Sequence, residues 1–248
     1  AAFLSGDKKL QKAFMDKKDF HSSIAKMVFK LEVDADEIKK LYKLERQSSK
    51  AVSFGILFGS GPAKVQESVN KEGGNMSLQD AKDVITDYYN TFNRLKKWLD
   101  ERKAFIAANG YTYSFFGRKR RLVNVFSADK GIAAHEVRSG INSEVQSLSS
   151  DMNLLAAMDT QDEVNRKGLD AKIFMLVHDS IVALVKDADI VEYCEILKRN
   201  TQKDRGCTFQ NCPIGVDQEV GQDYSFGKFE EWYDIQDGML VKRERNKP

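Results

Sequence analysis

Proline, cysteine and long apolar runs are all scarce in this sequence, and the last two shortages each argue against a class of protein. Among 248 residues there are three prolines and three cysteines. Cys194, Cys207 and Cys212 are odd in number, lack C-x-x-C spacing and have no histidine nearby, which argues against a disulfide framework or a zinc site. No stretch approaches the roughly 18 to 20 apolar residues of a membrane-crossing helix. We therefore expect an intracellular protein with no membrane association.

An excess of one sign of charge is also missing. Lysine and arginine (39) nearly balance aspartate and glutamate (37), so the net charge is only +2. This balance predicts no overall attraction to polyanions, and any basic surface must be local. The hydrophobic fraction of 42% is enough for a buried core, and the length permits one or two domains.

Helical periodicity dominates the first part of the chain, because apolar residues recur there at spacings of three and four. The clearest predicted helix runs from Ser77 to Asn109. Ser77 and Asp80 have the spacing of a capping box, and Gly110 can adopt the left-handed conformation that ends a helix. Its predicted apolar stripe consists of Val84, Tyr88, Phe92, Leu95 and Leu99.

Strand-like segments appear after Gly110. The run GYTYSFFGRKRRLVNV predicts a short hairpin with a basic tip, and IFMLVHDSIVALV predicts a β-hairpin with His178, Asp179 and Ser180 at its turn. Further helices are predicted at about 131–158 and 187–199, and a strand at IGVDQEVG. The sequence therefore predicts a mainly helical α+β fold.

Four side chains in RQSSKAVSFGILFG stand four residues apart: Arg46, Lys50, Phe54 and Phe58. Four residues advance a helix by roughly 400°, so the first three share one face. Two cations followed by an aromatic ring suit a nucleoside triphosphate, which is anionic at one end and flat at the other. The alternative is a surface helix with solvated cations and two core phenylalanines.

A second polar stripe and a lone carboxylate follow. Arg138, Asn142 and Gln146 share one face of a helix that should be largely buried, where unpaired amides are costly. They either bond to neighbouring backbone or donate to the minor groove, where acceptors lie in the same place for every base pair. Asp179, at an exposed turn, either binds a hard cation such as Mg²⁺ or is present only because aspartate is favoured in turns.

Together these segments resemble DNA polymerase family A, the group that includes bacterial DNA polymerase I. RQSSKAVSFGILFG resembles the motif B helix, HEVRSGINSEVQSLSSD the palm helix, and LVHDSIV motif C. The opening AAFLSGDKKLQKAFMDKKDFHSSIAKMVF resembles the segment after motif A, GYTYSFFGRKRRL the basic hairpin, and PIGVDQEVGQDYSFG the closing strand of phage-like members. The resemblance implies right-hand polymerase fingers at 1–132 and the C-terminal part of the palm, with an antiparallel sheet, at 133–248.

The resemblance implies five nucleotide-binding residues. Arg46 and Lys50 would hold the triphosphate, and Lys50 would act as a catalytic residue by protonating the leaving pyrophosphate. Phe54, a tyrosine in some members, would pack on the incoming sugar and discriminate against dideoxy substrates. Phe58 replaces the family's usual tyrosine near the templating base, and His21 stands where a family histidine meets the triphosphate.

The resemblance also implies DNA contacts. Arg138, Asn142 and Gln146 would contact the primer-template, and Arg118 would meet strand phosphates. His178 would act at the last nucleotide of the primer as a catalytic and DNA-binding residue.

Two Mg²⁺ ions are the cofactors that the resemblance implies. Asp179 would be the metal ligand and a catalytic residue, and Ser180 replaces a glutamate that many members carry. A second shared carboxylate belongs to motif A, which is expected just upstream of Ala1.

The implied activity is addition of deoxynucleoside triphosphates to a primer 3′ end in DNA replication. We expect the chain alone to be inactive, and a partner chain to supply motif A, the thumb and perhaps an exonuclease. The expected setting is the cytoplasm of a bacterium or a phage-infected host. The alternatives are a fragment of a single-subunit RNA polymerase and a non-catalytic DNA-binding remnant.

Overall fold

The computed structural model of the protein describes residues 1–16, 19–205, 212, 214–221, 232–236 and 239–243. These residues form two compact units. The first contains the described residues up to Ser147 together with Cys212, and the second contains the other described residues from Leu148 onward. Helices predominate, and the strands that the structure describes form three two-stranded antiparallel sheets. The predicted class, mainly helical α+β, is confirmed.

The first unit is built from helices and one hairpin. Its helices are α1 (Ala2–Ser5), α2 (Lys8–Met15), α3 (Phe20–Phe29), α4 (Ala35–Leu41), α5 (Lys43–Leu57), α6 (Pro62–Lys71), α7 (Leu78–Thr91), α8 (Asn93–Asn109) and the beginning of α9 (Lys130–Lys167). The hairpin pairs β1 (Tyr111–Tyr113) with β2 (Lys119–Arg121), and a 3₁₀ turn at Val123–Phe126 follows it.

The second unit contains the end of α9, two hairpins and one more helix. The first hairpin pairs β3 (Ala171–Val177) with β4 (Ser180–Val185), and the second pairs β5 (Trp232–Gln236) with β6 (Met239–Arg243). A 3₁₀ turn at Asp187–Asp189 leads into α10 (Ile190–Thr201). One face of the β3–β4 hairpin packs through Ile173 and Ala183 on a small core of Val164, Tyr193 and Cys194.

The predicted helix at 77–109 is two helices with a break at Phe92. Phe92 has φ −109° and ψ 59°, outside the helical region, and the Leu95 N–H in the first turn of α8 donates to the Asp7 carboxylate at 3.1 Å. The predicted capping box of Ser77 and Asp80 is present. Every member of the predicted apolar stripe is buried: Val84, Tyr88, Phe92, Leu95 and Leu99.

Asp7 explains why this break is stable. Its carboxylate accepts hydrogen bonds from Lys9 N and Leu10 N, both at 3.0 Å, and so caps α2 as well as α8. The first turns of two helices therefore share one buried carboxylate, which satisfies backbone donors that would otherwise be unpaired. Helices α7 and α8, on either side of the break, contribute to the same hydrophobic core through Tyr88 and Leu99.

Several predicted boundaries after residue 110 are wrong. Helix α9 continues to Lys167, because its last turns are polar and exposed on one side yet pack through Val164. The predicted strand IGVDQEVG is irregular apart from a single bridge at Val220. The rest of the predicted closing segment, Pro213 and residues 222–227, lies outside the described residues, as does Cys207. No helix within the described residues is long and apolar enough to cross a bilayer.

Candidate nucleotide, DNA and metal sites

Helices α3 and α5 pack together and bring four of the predicted nucleotide-binding residues to one place. The buried Ser49 hydroxyl lies 2.7 Å from the His21 carbonyl oxygen and 2.8 Å from that of Arg46, so it links the two helices. The ring centroids of His21 and Phe54 are 6.1 Å apart. Because Lys50 follows Arg46 by one turn of α5, the two cations and the two rings form a cluster within the first unit.

Arg46 is held by a carboxylate that the sequence reasoning missed. Its Nε donates to Asp19 Oδ2 and its Nη2 donates to Asp19 Oδ1 at 3.2 Å, so the pair is bidentate. The Ser22 hydroxyl also donates to Asp19 Oδ2 at 2.6 Å. The available signal was the Asp-x-His spacing of Asp19 and His21, but nothing local indicates that this aspartate reaches α5.

These contacts shift three pKa values. Burial alone would raise the pKa of Asp19, but the hydrogen bonds from Arg46 and Ser22 outweigh it and lower that pKa to about 2. The hydrogen bond to Asp19 in turn raises the pKa of Arg46. Burial lowers the pKa of His21, and the charges of Arg46 and Lys50 lower it further against the opposing effect of Asp19. His21 is therefore biased towards its neutral form.

The other cation, Lys50, and the Phe54 ring of this cluster face solvent, whereas His21 is partly buried. Lys50 is exposed and makes no hydrogen bond or ion pair with any residue that the structure describes. Phe54 is 46% exposed, and its ring is nearly parallel to that of Phe58, with centroids 6.4 Å apart and planes at 6°. The alternative reading of Phe54 as a core residue is therefore wrong. His21 Nδ1 is buried without a hydrogen-bond partner among the described residues.

Arg138 lies against the end of α5. Gly59, just past that helix, has φ +80°, a left-handed conformation that favours glycine, and a Cβ there would come within 3.2 Å of Arg138 Cδ. The stem of Arg138 therefore passes directly over the turn that ends the cationic helix. A side chain at position 59 would be opposed by both backbone conformation and space.

The stripe of Arg138, Asn142 and Gln146 lies at an edge, whereas the sequence analysis expected a largely buried helix. Arg138 and Asn142 are half-buried and Gln146 is exposed. The deeply buried face of this helix segment instead carries Ile141 and Glu144. Asn142 Oδ1 is buried and has no hydrogen-bond partner within the described part of the chain. This part of α9 thus presents polar side chains outward from its core face.

Glu144 is a buried charge that the sequence reasoning did not single out. Its carboxylate accepts hydrogen bonds from Arg102 Nε at 2.9 Å and from the Thr112 hydroxyl. These contacts join α8, β1 and α9. They fix the segment of α9 that carries the polar stripe relative to the basic hairpin.

The basic side chains of the β1–β2 hairpin lie mainly on the strand, although a basic tip was expected. Arg118 ends the tip, and Lys119, Arg120 and Arg121 form exposed β2. Lys119 Nζ lies 3.8 Å from the ring centroid of Tyr111, and Arg120 donates to the Ser139 hydroxyl at 3.0 Å. The hairpin is therefore a locally positive edge on a chain of nearly balanced charge.

The β3–β4 turn consists of His178 and Asp179 alone. Ser180, predicted in the turn, begins β4 and pairs with Val177. His178 has φ 54°, in the positive region that two-residue hairpin turns require of a central residue. Both turn side chains are exposed. The Asp179 carboxylate supplies the oxygen ligands that Mg²⁺ prefers, but the described residues contain no group of three or more metal-ligating side chains.

Comparison with known proteins identifies the family of the chain. The family model of DNA polymerase family A matches residues 1–226. The chain is 47% identical to the DNA polymerase of Escherichia phage T5 over 92% of its own length and 30% of the relative's. It is 29% identical to DNA polymerase I of Caldicellulosiruptor bescii over 81% of its length and 22% of the relative's. It therefore spans about a third or less of these relatives.

A solved structure shares the fold. The polymerase domain of Pol1 from M. smegmatis, in complex with DNA primer-template and dNTP, has a TM-score of 0.72 and 24% sequence identity, and the similarity covers 81% of this chain and 34% of that one. The family match spans most of the sequence and includes every residue from His21 to Asp179 discussed above. The chain belongs to DNA polymerase family A.

Proposed function

We propose that the protein containing this sequence is a template-directed DNA polymerase that adds deoxynucleotides to a primer 3′ end. The cluster of Arg46, Lys50, Phe54 and His21 carries this proposal, because two cations and two rings converge within one compact unit. The phage T5 relative is named a DNA polymerase, and the M. smegmatis structure holds primer-template and dNTP. Family membership makes the RNA polymerase and the non-catalytic remnant weaker alternatives.

In this proposal the cluster binds the incoming nucleotide. Arg46 and Lys50 bind the triphosphate, and exposed Lys50 delivers a proton to the departing pyrophosphate. His21 donates a hydrogen bond to the triphosphate in its neutral form, which adds no further charge to the site. The exposed face of Phe54 packs on the sugar. Phe58, parallel to it, packs next to the templating base.

The polar stripe of α9 and the basic hairpin bind the primer-template. Arg138, Asn142 and Gln146 donate to minor-groove acceptors, which tests pair geometry without reading sequence. Arg118 and the β2 cations contact strand phosphates, which gives affinity without sequence preference. His178 contacts the last nucleotide of the primer.

Asp179 binds Mg²⁺ in this proposal, and two ions act in the reaction. When bound, they stabilise the charge that develops as the primer oxygen attacks the α-phosphate and pyrophosphate leaves. One exposed carboxylate does not complete a two-metal site, and no further ligand cluster occurs among residues that the structure describes. We assign the second carboxylate to a motif A segment outside these residues, in the same polypeptide or in a partner chain that also carries the thumb and perhaps an exonuclease.

The proposal assigns residues 1–132 to fingers and 133–248 to the C-terminal part of the palm. It assigns the protein to replication in the cytoplasm of a bacterium or a phage-infected host. The fingers would hold the incoming nucleotide, and the palm would hold the primer end and the metals.

Primer extension tests the proposal directly. The 248-residue chain would be assayed alone and after mixing with a chain that carries motif A and the thumb, using dNTPs or rNTPs. We expect no extension by either chain alone, and extension with dNTPs when both are present. A folded complex that binds primer-template but extends nothing, or one that uses rNTPs equally well, would contradict the proposal.

A further inference from the structure

Asp19 occupies a helix N-cap without acting as one. It precedes α3, yet its side chain accepts no capping hydrogen bond from the backbone of that helix. Asp7 precedes α2 in the same position and does accept such bonds from Lys9 N and Leu10 N. Aspartate is favoured at N-caps because its carboxylate pairs with the first free N–H groups. The carboxylate of Asp19 instead accepts from side chains, those of Arg46 in α5 and of Ser22 in its own helix.

The guanidinium of Arg46 can pair with Asp19 and with a second anion at once. It has five N–H donors, and Asp19 accepts from Nε and from one hydrogen of Nη2. Both hydrogens of Nη1 and the other hydrogen of Nη2 remain, and one hydrogen from each nitrogen forms the other bidentate edge of the planar group. Pairing with Asp19 therefore leaves a phosphate-binding edge available and fixes the direction in which it points.

Asp19 is itself held in place. The Ser22 hydroxyl donates to its Oδ2 at 2.6 Å, and the side chain is 22% exposed, against 31% for Arg46. Its low pKa keeps it ionised at any pH at which a polymerase is assayed. The buried Ser49 hydroxyl fixes the backbone of Arg46 relative to His21. The orientation of the guanidinium is thus determined at both its head and its backbone.

We infer that Asp19 is a positioning residue that orients Arg46 towards the triphosphate of the incoming nucleotide. The inference rests on the proposed function of the α3–α5 cluster. Asp19 does not contact the nucleotide in this arrangement. It acts through Arg46 alone, by reducing the number of rotamers from which the guanidinium must be selected when nucleotide binds.

If Asp19 acted on the nucleotide only through its charge, its removal would strengthen nucleotide binding. A carboxylate next to a triphosphate site repels the ligand, so removing its charge should tighten binding. Positioning predicts weaker binding although the site becomes more positive. The sign of the change therefore distinguishes the two roles.

Equilibrium titration with a fluorescent deoxynucleoside triphosphate tests the inference on the 248-residue chain. We expect Asp19→Ala to raise Kd roughly tenfold, the scale of one lost charge-assisted hydrogen-bonding arrangement. Asp19→Asn, which keeps one acceptor oxygen, should have a smaller effect of the same sign. Asp16→Asn removes an equal charge from an exposed residue three positions earlier in the sequence and should leave Kd within about twofold. Unchanged or tighter binding by Asp19→Ala overturns the inference.

The double variant shows whether Asp19 acts through Arg46. In an Arg46→Ala background, Asp19→Ala should cause no further loss, because the group that it orients is gone. Additive losses overturn the inference. The Arg46 Nε–H resonance in the nucleotide-free protein gives an independent readout: it should be slow to exchange in the wild type and should broaden in Asp19→Ala. A resonance that Asp19→Ala leaves unchanged would also overturn it.

Failure of the proposed function has a different signature. If wild-type chain and the Lys50→Ala variant bind the nucleotide equally weakly, the cluster is not a triphosphate site, and the inference fails with it. If wild type binds, Lys50→Ala binds more weakly and Asp19→Ala is unchanged, only the inference fails. Circular dichroism and thermal melting of each variant establish that it is folded.

Discussion

The α3–α5 cluster and the β3–β4 turn carry the two kinds of charge that the proposed reaction needs, and they are built differently. In the cluster, Arg46 is paired with Asp19 and a buried serine links the two helices. In the turn, His178 and Asp179 are exposed on two residues between strands. Arg46, a proposed phosphate-binding group, is therefore oriented by contacts within this chain, whereas Asp179, the proposed metal ligand, belongs to no group of three metal-ligating side chains among the described residues. A cation can be positioned by one anion, but a two-metal site needs several oxygen ligands.

The largest expected effect is at the turn. In a complete polymerase, Asp179→Asn should reduce primer extension by about a thousandfold or more, since an amide is a poor ligand for a hard cation. Nucleotide titration of the 248-residue chain should be unaffected by the same substitution. Single-turnover extension measures the first effect. Asp162, which is also exposed, supplies a control. Equal losses of extension in Asp179→Asn and Asp162→Asn would contradict the role of Asp179 as a metal ligand.

The next largest effect concerns the stability of the helical region. Asp7 is 2% exposed and accepts hydrogen bonds from the backbone of two helices. We expect Asp7→Asn to lower the free energy of unfolding by about 2 kcal/mol, because one carboxylate oxygen is replaced by a donor that faces N–H groups. Urea unfolding measures this change. Asp34→Asn, at an exposed N-cap without a capping bond, should change it by less than about 0.5 kcal/mol. Similar values for both variants would show that Asp7 does not support the region.

Lys50 differs from Arg46 in having no ion-pair partner among the described residues, so its role should be confined to the nucleotide. We expect Lys50→Ala to lower kcat/KM for dNTP incorporation by at least about tenfold, which corresponds to about 1.4 kcal/mol. The free energy of unfolding should change by less than about 0.5 kcal/mol. Lys43→Ala, an exposed lysine on the same helix, is the matched control. Wild-type kinetics in Lys50→Ala would count against the assignment.

The smallest expected effect is the pH dependence of the Asp19–Arg46 pair. The pKa of Asp19 is about 2 in the folded chain, below its ordinary 3.8, so the pair stabilises the protein fully above about pH 4. This contribution is lost as pH falls from 3.8 towards 2, because the unfolded chain takes up the proton first. Because the pair is partly exposed and screened by solvent, we expect its contribution to the free energy of unfolding to be only about 1 kcal/mol.

Urea unfolding of the wild type and Asp19→Asn at pH 6 and pH 2.5 tests this dependence. The difference in unfolding free energy between the two proteins should be present at pH 6 and should shrink at pH 2.5. A difference of the same size at both pH values would mean that the carboxylate is not what stabilises the pair.

The features that were predicted correctly depend on neighbours in sequence. The shared face of Arg46, Lys50 and Phe54 follows from four-residue spacing on a helix. The capping box at Ser77 involves residues within a single helical turn, and so does the helix end at Gly110. The turn at His178 and Asp179 follows from two apolar runs that are separated by a few polar residues.

The features that were missed join residues far apart in the chain. The break at Phe92 is stabilised by Asp7, which is 88 positions from Leu95. Buried Glu144 is paired with Arg102 and Thr112, which lie 42 and 32 positions earlier. The polar stripe of α9 lies at an edge, not in a core. No local pattern records which face of a helix a distant segment will cover.

The sequence by itself determined the family, the mainly helical class and the identity of the candidate nucleotide, DNA and metal residues, because motif spacing is read along one helix or one turn. Only the tertiary structure decided that Asp19 pairs with Arg46, that Arg138 lies against Gly59 and that Phe54 faces solvent. These outcomes depend on which helices pack together. That choice minimises the free energy of the whole core, to which each local segment contributes only a part.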